Sequence, residues 1–217
     1  MRQRRIKIGL LVLYFLILII SCIHPIYPDE MYLQHSVTLL VAGLLIYTTI
    51  RNNLSNKSFL LIAGFMICHI IGARWIYSYV PYDQWIKSLT GFSINSYFGF
   101  QRNQYDRLIH FLFGFMIIIP LREIYSRWIN CPRRLAMLLA FLSILSMSMI
   151  YEVFEWSISM FLSPEDAEAY NGQQGDYWDA QKDMALALLG TMVMILILQL
   201  SFKQDKFSHS TNLNTNL

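Results

Sequence analysis

Apolar runs recur along this chain, and each is long enough to have one main structural use. A helix that crosses a bilayer needs roughly 20 mostly apolar residues, because backbone polar groups in lipid must be satisfied within the segment itself. Residues 6–23, 33–50, 59–80, 135–162 and 183–201 approach or meet that length. A further run, 108–121, is short by itself and is read as the centre of a helix over about residues 106–125 that continues past Pro120 toward Trp128. The expected fold is all-α: a polytopic membrane helix bundle of about six transmembrane helices in one domain over residues 1–202, with a polar cytoplasmic tail at 203–217. Composition points the same way, since 55% of residues are hydrophobic and only 14% charged, against roughly 25% charged in soluble domains. Too few charges remain to coat a water-facing surface.

Lys and Arg concentrate in cytoplasmic connections of membrane proteins, and their distribution here orients the spans. Arg2, Arg4, Arg5, Lys7, Arg51, Lys57, Arg122, Arg127, Arg133, Arg134, Lys203 and Lys206 fall on one side, whereas Lys87, Arg102, Arg107 and Lys182 fall on the other. The twelve-to-four split puts both termini in the cytoplasm. The acidic loop 163–183 and the aromatic residues Trp85, Tyr97, Tyr105, Tyr177 and Trp178 then lie at the external face, where an interfacial aromatic belt is expected. A signal peptide ending near Cys22 is the rival reading of the N-terminus, but its apolar run is long for that use and a retained helix is simpler. The formal charge of +3 reflects these flanking residues, so no nucleic-acid partner is expected. Cys22, Cys68 and Cys131 are odd in number and widely spaced, which gives neither a disulfide framework nor a zinc motif.

Ionisable groups inside a bilayer are costly, and those that remain usually face the bundle interior with partners. Span three carries His69, Arg74 and Tyr77; span four opens with Asp106, Arg107 and His110; span five contains Glu152 and Glu155; span six opens with Asp176, Asp179, Gln181 and Asp183. With alternating span direction, all four sets converge on the outer leaflet. Asp106 and His110 are four apart, Glu152 and Glu155 three apart, and Asp179 and Asp183 four apart, so each pair shares a helix face. His69 is expected deeper, at the floor, and the aromatic loop 81–104 is expected along the interface as a lid. Such a cluster can hold a divalent metal, run acid–base chemistry, bind an anionic head group or relay protons.

The plainer readings are an Arg74–carboxylate pair that only joins helices, and Asp176 and Asp179 as solvated helix-start residues favoured by the macrodipole. Glu152 and Glu155 have no such routine use, because they lie deep within an apolar run. His24, His35 and His209 carry no assigned role.

The strings HIIGARWIYSYVP from His69, RNQYDRLIHFLFGF from Arg102, YEVFEW from Tyr151 and QGDYWDAQKDMALALLG from Gln174 resemble the YjdF-like family of bacterial inner-membrane proteins over most of the chain. The resemblance implies a multi-pass protein of the inner (cytoplasmic) membrane and carries no activity with it. An acid and a His at the start of one helix, acids in the next, and a D…D…G segment opening the last are more loosely similar to VanZ-like membrane proteins, which are associated with resistance to teicoplanin-type glycopeptides. This chain departs from them in its longer acidic loop.

The expected function is a membrane-embedded site that acts on or binds a lipid or cell-envelope component, a hydrolase or transferase if catalytic. Glu152, Glu155 and His69 are the candidate catalytic groups. Arg74, Tyr77, Arg107, Asp176 and Gln181 are candidates for substrate binding, and Asp106, His110, Asp179 and Asp183 for a divalent metal. The partners implied are membrane lipid and a lipid or envelope-precursor ligand; no protein partner is indicated. A small transporter or proton-coupled carrier and a non-catalytic membrane partner protein are the alternatives.

Overall fold

The computed structural model describes residues 2–163, 167 and 170–214, and the side chains of 4–163, 167 and 170–201. Glu165, Asp166 and Glu168 of the acidic loop, and the end of the polar tail, lie outside the described residues. The described residues form helices in the order α1 (Arg2–Ser21), α2 (Pro28–Arg51), α3 (Asn56–Arg74), two short helices α4 (Tyr82–Thr90) and α5 (Ile94–Phe98), then α6 (Tyr105–Arg127), α7 (Arg133–Ser159) and α8 (Asp179–Asn214). No strand occurs among them. The chain is a polytopic helical membrane bundle: α2, α3, α6, α7 and the 179–201 stretch of α8 are each long and apolar enough to cross a membrane. The first helix is as long, but Arg4, Arg5 and Lys7 fall within its first turns. The backbone of α8 continues as helix through the polar stretch to Asn214.

Two helices organise the bundle. The sixth packs on α8, α7 and α3, and the third packs on α6, α1 and α2. Their shared core includes Tyr14, Leu45, Phe59, Ile70, Ile118 and Ile144. The opposite faces of α1, α2, α7 and α8 expose Leu16, Leu40, Ile150 and Leu196, as a lipid solvent requires. At one end Glu123 of α6 caps α3: its carboxylate accepts from the Ser55 backbone N–H at 2.7 Å and from the Ser55 and Ser58 hydroxyls at 2.5 Å. A carboxylate suits that place, because the first N–H groups of a helix are unpaired and its N-terminus is positive. The fully buried Lys7 ammonium lies at the same end and donates to Asn52 Oδ1 and the Leu54 carbonyl.

The third helix stops earlier than the 59–80 apolar run suggests. It ends at Arg74, and Ile76 and Tyr77 take positive φ of 39° and 54°. Tyr77 therefore lies past the helix, and its ring folds back across Gly72, where an added Cβ would meet ring carbon Cε1 at 2.5 Å. Periodicity cannot reveal this, since residues 75–80 are as apolar as the helix before them.

Candidate site at one end of the bundle

The closest helix crossing sets the site. A Cβ on Gly114 would lie 1.9 Å from the Ala187 carbonyl oxygen, and one on Gly190 would lie 2.1 Å from that of Phe111. The two glycines thus let the backbones of α6 and α8 touch, the small-residue packing common between membrane helices. Gly114 stands one turn beyond His110 on α6, and Ala187 stands one turn beyond Asp183 on α8. The contact therefore holds His110 and Asp183 level with each other.

Around that level the structure gathers acids and imidazole. One donor atom from each of Asp106, His110 and Asp183 lies within 4.8 Å of the other two, and all three residues are buried. Among the described residues, these three each offer one ligand atom to a common point. From α7, Glu152 approaches so that its Oε1 is 3.6 Å from His110 Nε2, and Asp106 Oδ1 is also 3.6 Å from that nitrogen. Glu152 Oε1 and Asp183 Oδ1 are buried and have no hydrogen-bond partner.

The two arginines are engaged elsewhere. Arg102 pairs with Asp179, and Arg107 bonds Asp176 at 2.5 Å and Asp179 at 2.9 Å. Lys182 adds a contact of 2.6 Å to Asp176. That lysine, with help from the Trp178 N–H and Arg107, holds the Asp176 carboxyl down at about 2. Arg102 also donates to the carbonyls of Gly172 and Gln173, while the Asn103 N–H donates to Gln174 Oε1 at 2.8 Å. These bonds latch the segment before α6 to the loop before α8. The loop covers the cluster: Tyr170 is buried, which pushes its phenol up, and a Cβ on Gly172, at φ +67°, would stand 3.7 Å from Asp106 Oδ2.

Two cavities meet the cluster. The first, of about 160 Å³, is walled by Val37, Phe65, Met66, Ile109, Phe113 and Met147 and reaches Asp106, His110, His69, Tyr77 and Tyr151. His69 Nδ1 is 2.5 Å from the Tyr77 hydroxyl, and its Nε2 is 3.3 Å from the Gln34 carbonyl. The second, of about 300 Å³, is lined by Glu152, Glu155, Trp156, Asn171, Asp179 and Gln181 among others. Glu152 lines the second, more polar chamber, and its Oε1 stands 3.6 Å from His110, which lines the first.

The structure brings Asp106, His110, Glu152, Asp183, His69 and Tyr77 together, with Glu155 and Gln181 on the second cavity. It corrects the position of others. Arg74 points away and donates to the carbonyls of Ser21 and Ile23 at 2.7 and 2.6 Å, because the end of α1 offers it unpaired acceptors. Asp179 and Asp176 are spent on arginines, which leaves Asp179 poorly placed as a metal ligand. Asp176 precedes α8 instead of opening it. Tyr105 is buried, not interfacial: its hydroxyl donates to the Cys68 carbonyl at 2.9 Å. Helices α4 and α5 pack on each other, and α4 rests on Trp75 and Tyr105 through Trp85 and Tyr82; the described approach to the cluster comes from Gly172, in a loop held by Arg102 and Asn103 of the 81–104 segment. Asp83 ties α4 to α5, its carboxyl lowered first by the Asn95 backbone N–H.

Sequence reading missed Arg102, Ser148, Tyr151 and Gln34. Ser148 was legible as one turn before Glu152, and its buried hydroxyl has no partner. Gln34 gave no signal, because one amide near a helix start looks like any interfacial residue.

The family described as "Predicted membrane protein (DUF2238)" matches the chain over residues 6–204. The chain belongs to this family. A relative described as inner membrane protein YjdF, from Escherichia coli (strain K12), is 32% identical over 161 residues, covering 74% of this chain and 73% of the relative. No solved structure matches. Family, relative and apolar helices together make the chain a multi-pass protein of the inner membrane.

Proposed function

We propose that this DUF2238 member is a membrane-embedded enzyme acting on a lipid or lipid-linked envelope component, with its site opening to the outer leaflet. The observation that carries the reading is the apolar cavity ending on buried Asp106, His110 and His69. Its walls suit a stretch of acyl or prenyl chain, and the second, more polar cavity beyond Glu152 suits a head group or water. Glu152 is the group that takes a proton from the attacking nucleophile and returns it to the leaving group. His110 and Asp106 orient it, and His69 with Tyr77 closes the floor. Hydrolysis or group transfer fits such a pair of chambers.

Two features favour this over the alternatives. The α6–α8 contact is made by Gly114 and Gly190, so the charges are not needed as packing devices. The acids gather at one end with an apolar core beneath them, whereas a proton relay would spread through the depth of the bundle.

The test is envelope-lipid profiling of cells lacking the protein and complemented with wild type or Glu152→Gln. Wild type should restore a changed lipid species, and Glu152→Gln should fail to do so at equal membrane abundance. Full restoration by Glu152→Gln, or no lipid difference in the deleted strain, would overturn the reading.

A further inference from the structure

We infer that Asp106, His110 and Asp183 bind one divalent transition-metal ion, with Glu152 beside it as base toward a metal-bound water. This rests on the reading above that the cluster is a working site. Charge provides the first reason. Arg102, Arg107 and Lys182 make their ion pairs with Asp176 and Asp179, so among the described residues Asp106, Glu152 and Asp183 have no direct lysine or arginine partner and feel Arg102 and Arg107 only from a distance. Buried carboxylates without a paired counter-ion are disfavoured, and a cation between them lowers that penalty.

Spacing is the second reason. His110 Nε2 stands 3.6 Å from Asp106 Oδ1, too long for a good hydrogen bond. Two ligand atoms bound at about 2.1 Å around a tetrahedral ion lie about 3.4 Å apart, which is close to that separation, and Glu152 Oε1, also 3.6 Å from the imidazole, stands beside the ligand set. Unsatisfied atoms are the third. Asp183 is only 2% exposed and Glu152 9%, yet Asp183 Oδ1 and Glu152 Oε1 have no hydrogen-bond partner. Both belong to the residues converging on the gap.

The donor set fixes the class of ion. One imidazole nitrogen with carboxylate oxygens suits Zn²⁺, Mn²⁺ or Fe²⁺, whereas Mg²⁺ and Ca²⁺ prefer oxygen alone. The ligand atoms, at up to 4.8 Å apart, close by up to about 1.4 Å on binding. Asp179, four residues before Asp183, is excluded from the set because the arginines hold it.

The experiment is metal analysis of the full-length protein in detergent, followed by chelator stripping and calorimetric titration with Zn²⁺ or Mn²⁺ alone. Wild type should take up one ion per chain and melt higher when loaded. Asp183→Asn, which keeps the side-chain shape, should weaken binding by about 100-fold, whereas Glu123→Gln at the opposite end should bind as wild type. Stripped wild type that takes up neither ion would overturn the inference, as would equal binding by Asp183→Asn. The outcomes separate from those of the proposed function. Stoichiometric metal with unchanged envelope lipids keeps the ion and removes the enzyme reading. No metal, with Glu152→Gln still failing to restore lipids, keeps acid–base chemistry and removes the ion.

Discussion

Replacing Gly190 or Gly114 by alanine tests whether backbone contact between α6 and α8 builds the site. Each new methyl carbon would meet main-chain atoms that cannot rotate away: 1.9 Å to the Ala187 oxygen for Gly114, and 2.1 Å to the Phe111 oxygen for Gly190. Cβ atoms essentially never approach others below 3.0 Å, so the helices must part by about 1 Å at either point. A gap of that size forfeits a quarter to a half of the local dispersion energy, and overpacking of this kind costs about 1–3 kcal/mol. For a chain of this length that is a fall in melting temperature of about 3–10 °C. The parting also carries His110 and Asp183 away from each other, because they sit one turn from the contact. Thermal unfolding in detergent reads the first effect and ion binding the second. Gly43→Ala on α2 is the control, since its Cβ would meet nothing within 4 Å, and it should melt at or slightly above wild type. Gly114→Ala and Gly190→Ala that both melt within 1 °C of Gly43→Ala would refute the reasoning.

The charge asymmetry predicts that reporters fused after Arg51, Arg134 and Lys206 read cytoplasmic and those near Leu89 and Tyr170 read external; an external signal after Arg134 refutes the orientation. Gly72→Ala should displace the Tyr77 ring, which would stand 2.5 Å from the new carbon, and lower the melting temperature. In a Tyr77→Ala background Gly72→Ala should cost less than it does in wild type, and an equal cost in both backgrounds would mean the ring does not lie across Gly72. Asp176, paired with Arg107 of α6 and Lys182 of α8, is a second latch on the loop before α8, and it should be acid-resistant. Its carboxyl is depressed from 3.8 to about 2, so its contribution is fully present above pH 3.8 and is lost as pH falls through about 2. Pepsin should therefore cut 170–178 slowly at pH 4 and faster toward pH 2, and Asp176→Asn should be cut fast already at pH 4. Equal rates for wild type and variant at pH 4 would count against the latch.

How much of this was legible in the chain depended on the range of the interaction concerned. The apolar runs announce helices because their signal lies within each segment, and the polar residues inside them announce a shared end because alternating direction fixes which ends meet. Helix phase then pairs Asp106 with His110. What could not be read was which charges neutralise which. Arg74 and Arg102 both stand near a helix end beside aromatic residues, yet one caps the carbonyls of α1 and the other clamps Asp179. That choice is made by a turn at Ile76–Tyr77 and by a loop 70 residues away, and neither leaves a periodic trace.

The division of charge argues that the unpaired acids are kept for use. Where two helices need joining, this bundle uses glycines or pairs every carboxylate: Glu123 accepts three hydrogen bonds and an arginine, and Asp176 and Asp179 share two arginines and a lysine. Among the described residues, buried acids are thus satisfied elsewhere. Of these acids, Asp183 and Glu152 each have a buried oxygen unpartnered, and an unsatisfied buried polar atom costs about 1–3 kcal/mol, more for a charged one. Apolar residues of similar volume in their place would remove that cost, so the arrangement opposes stability. The ion proposed between Asp106, His110 and Asp183 would offset that cost by giving the open oxygens a partner.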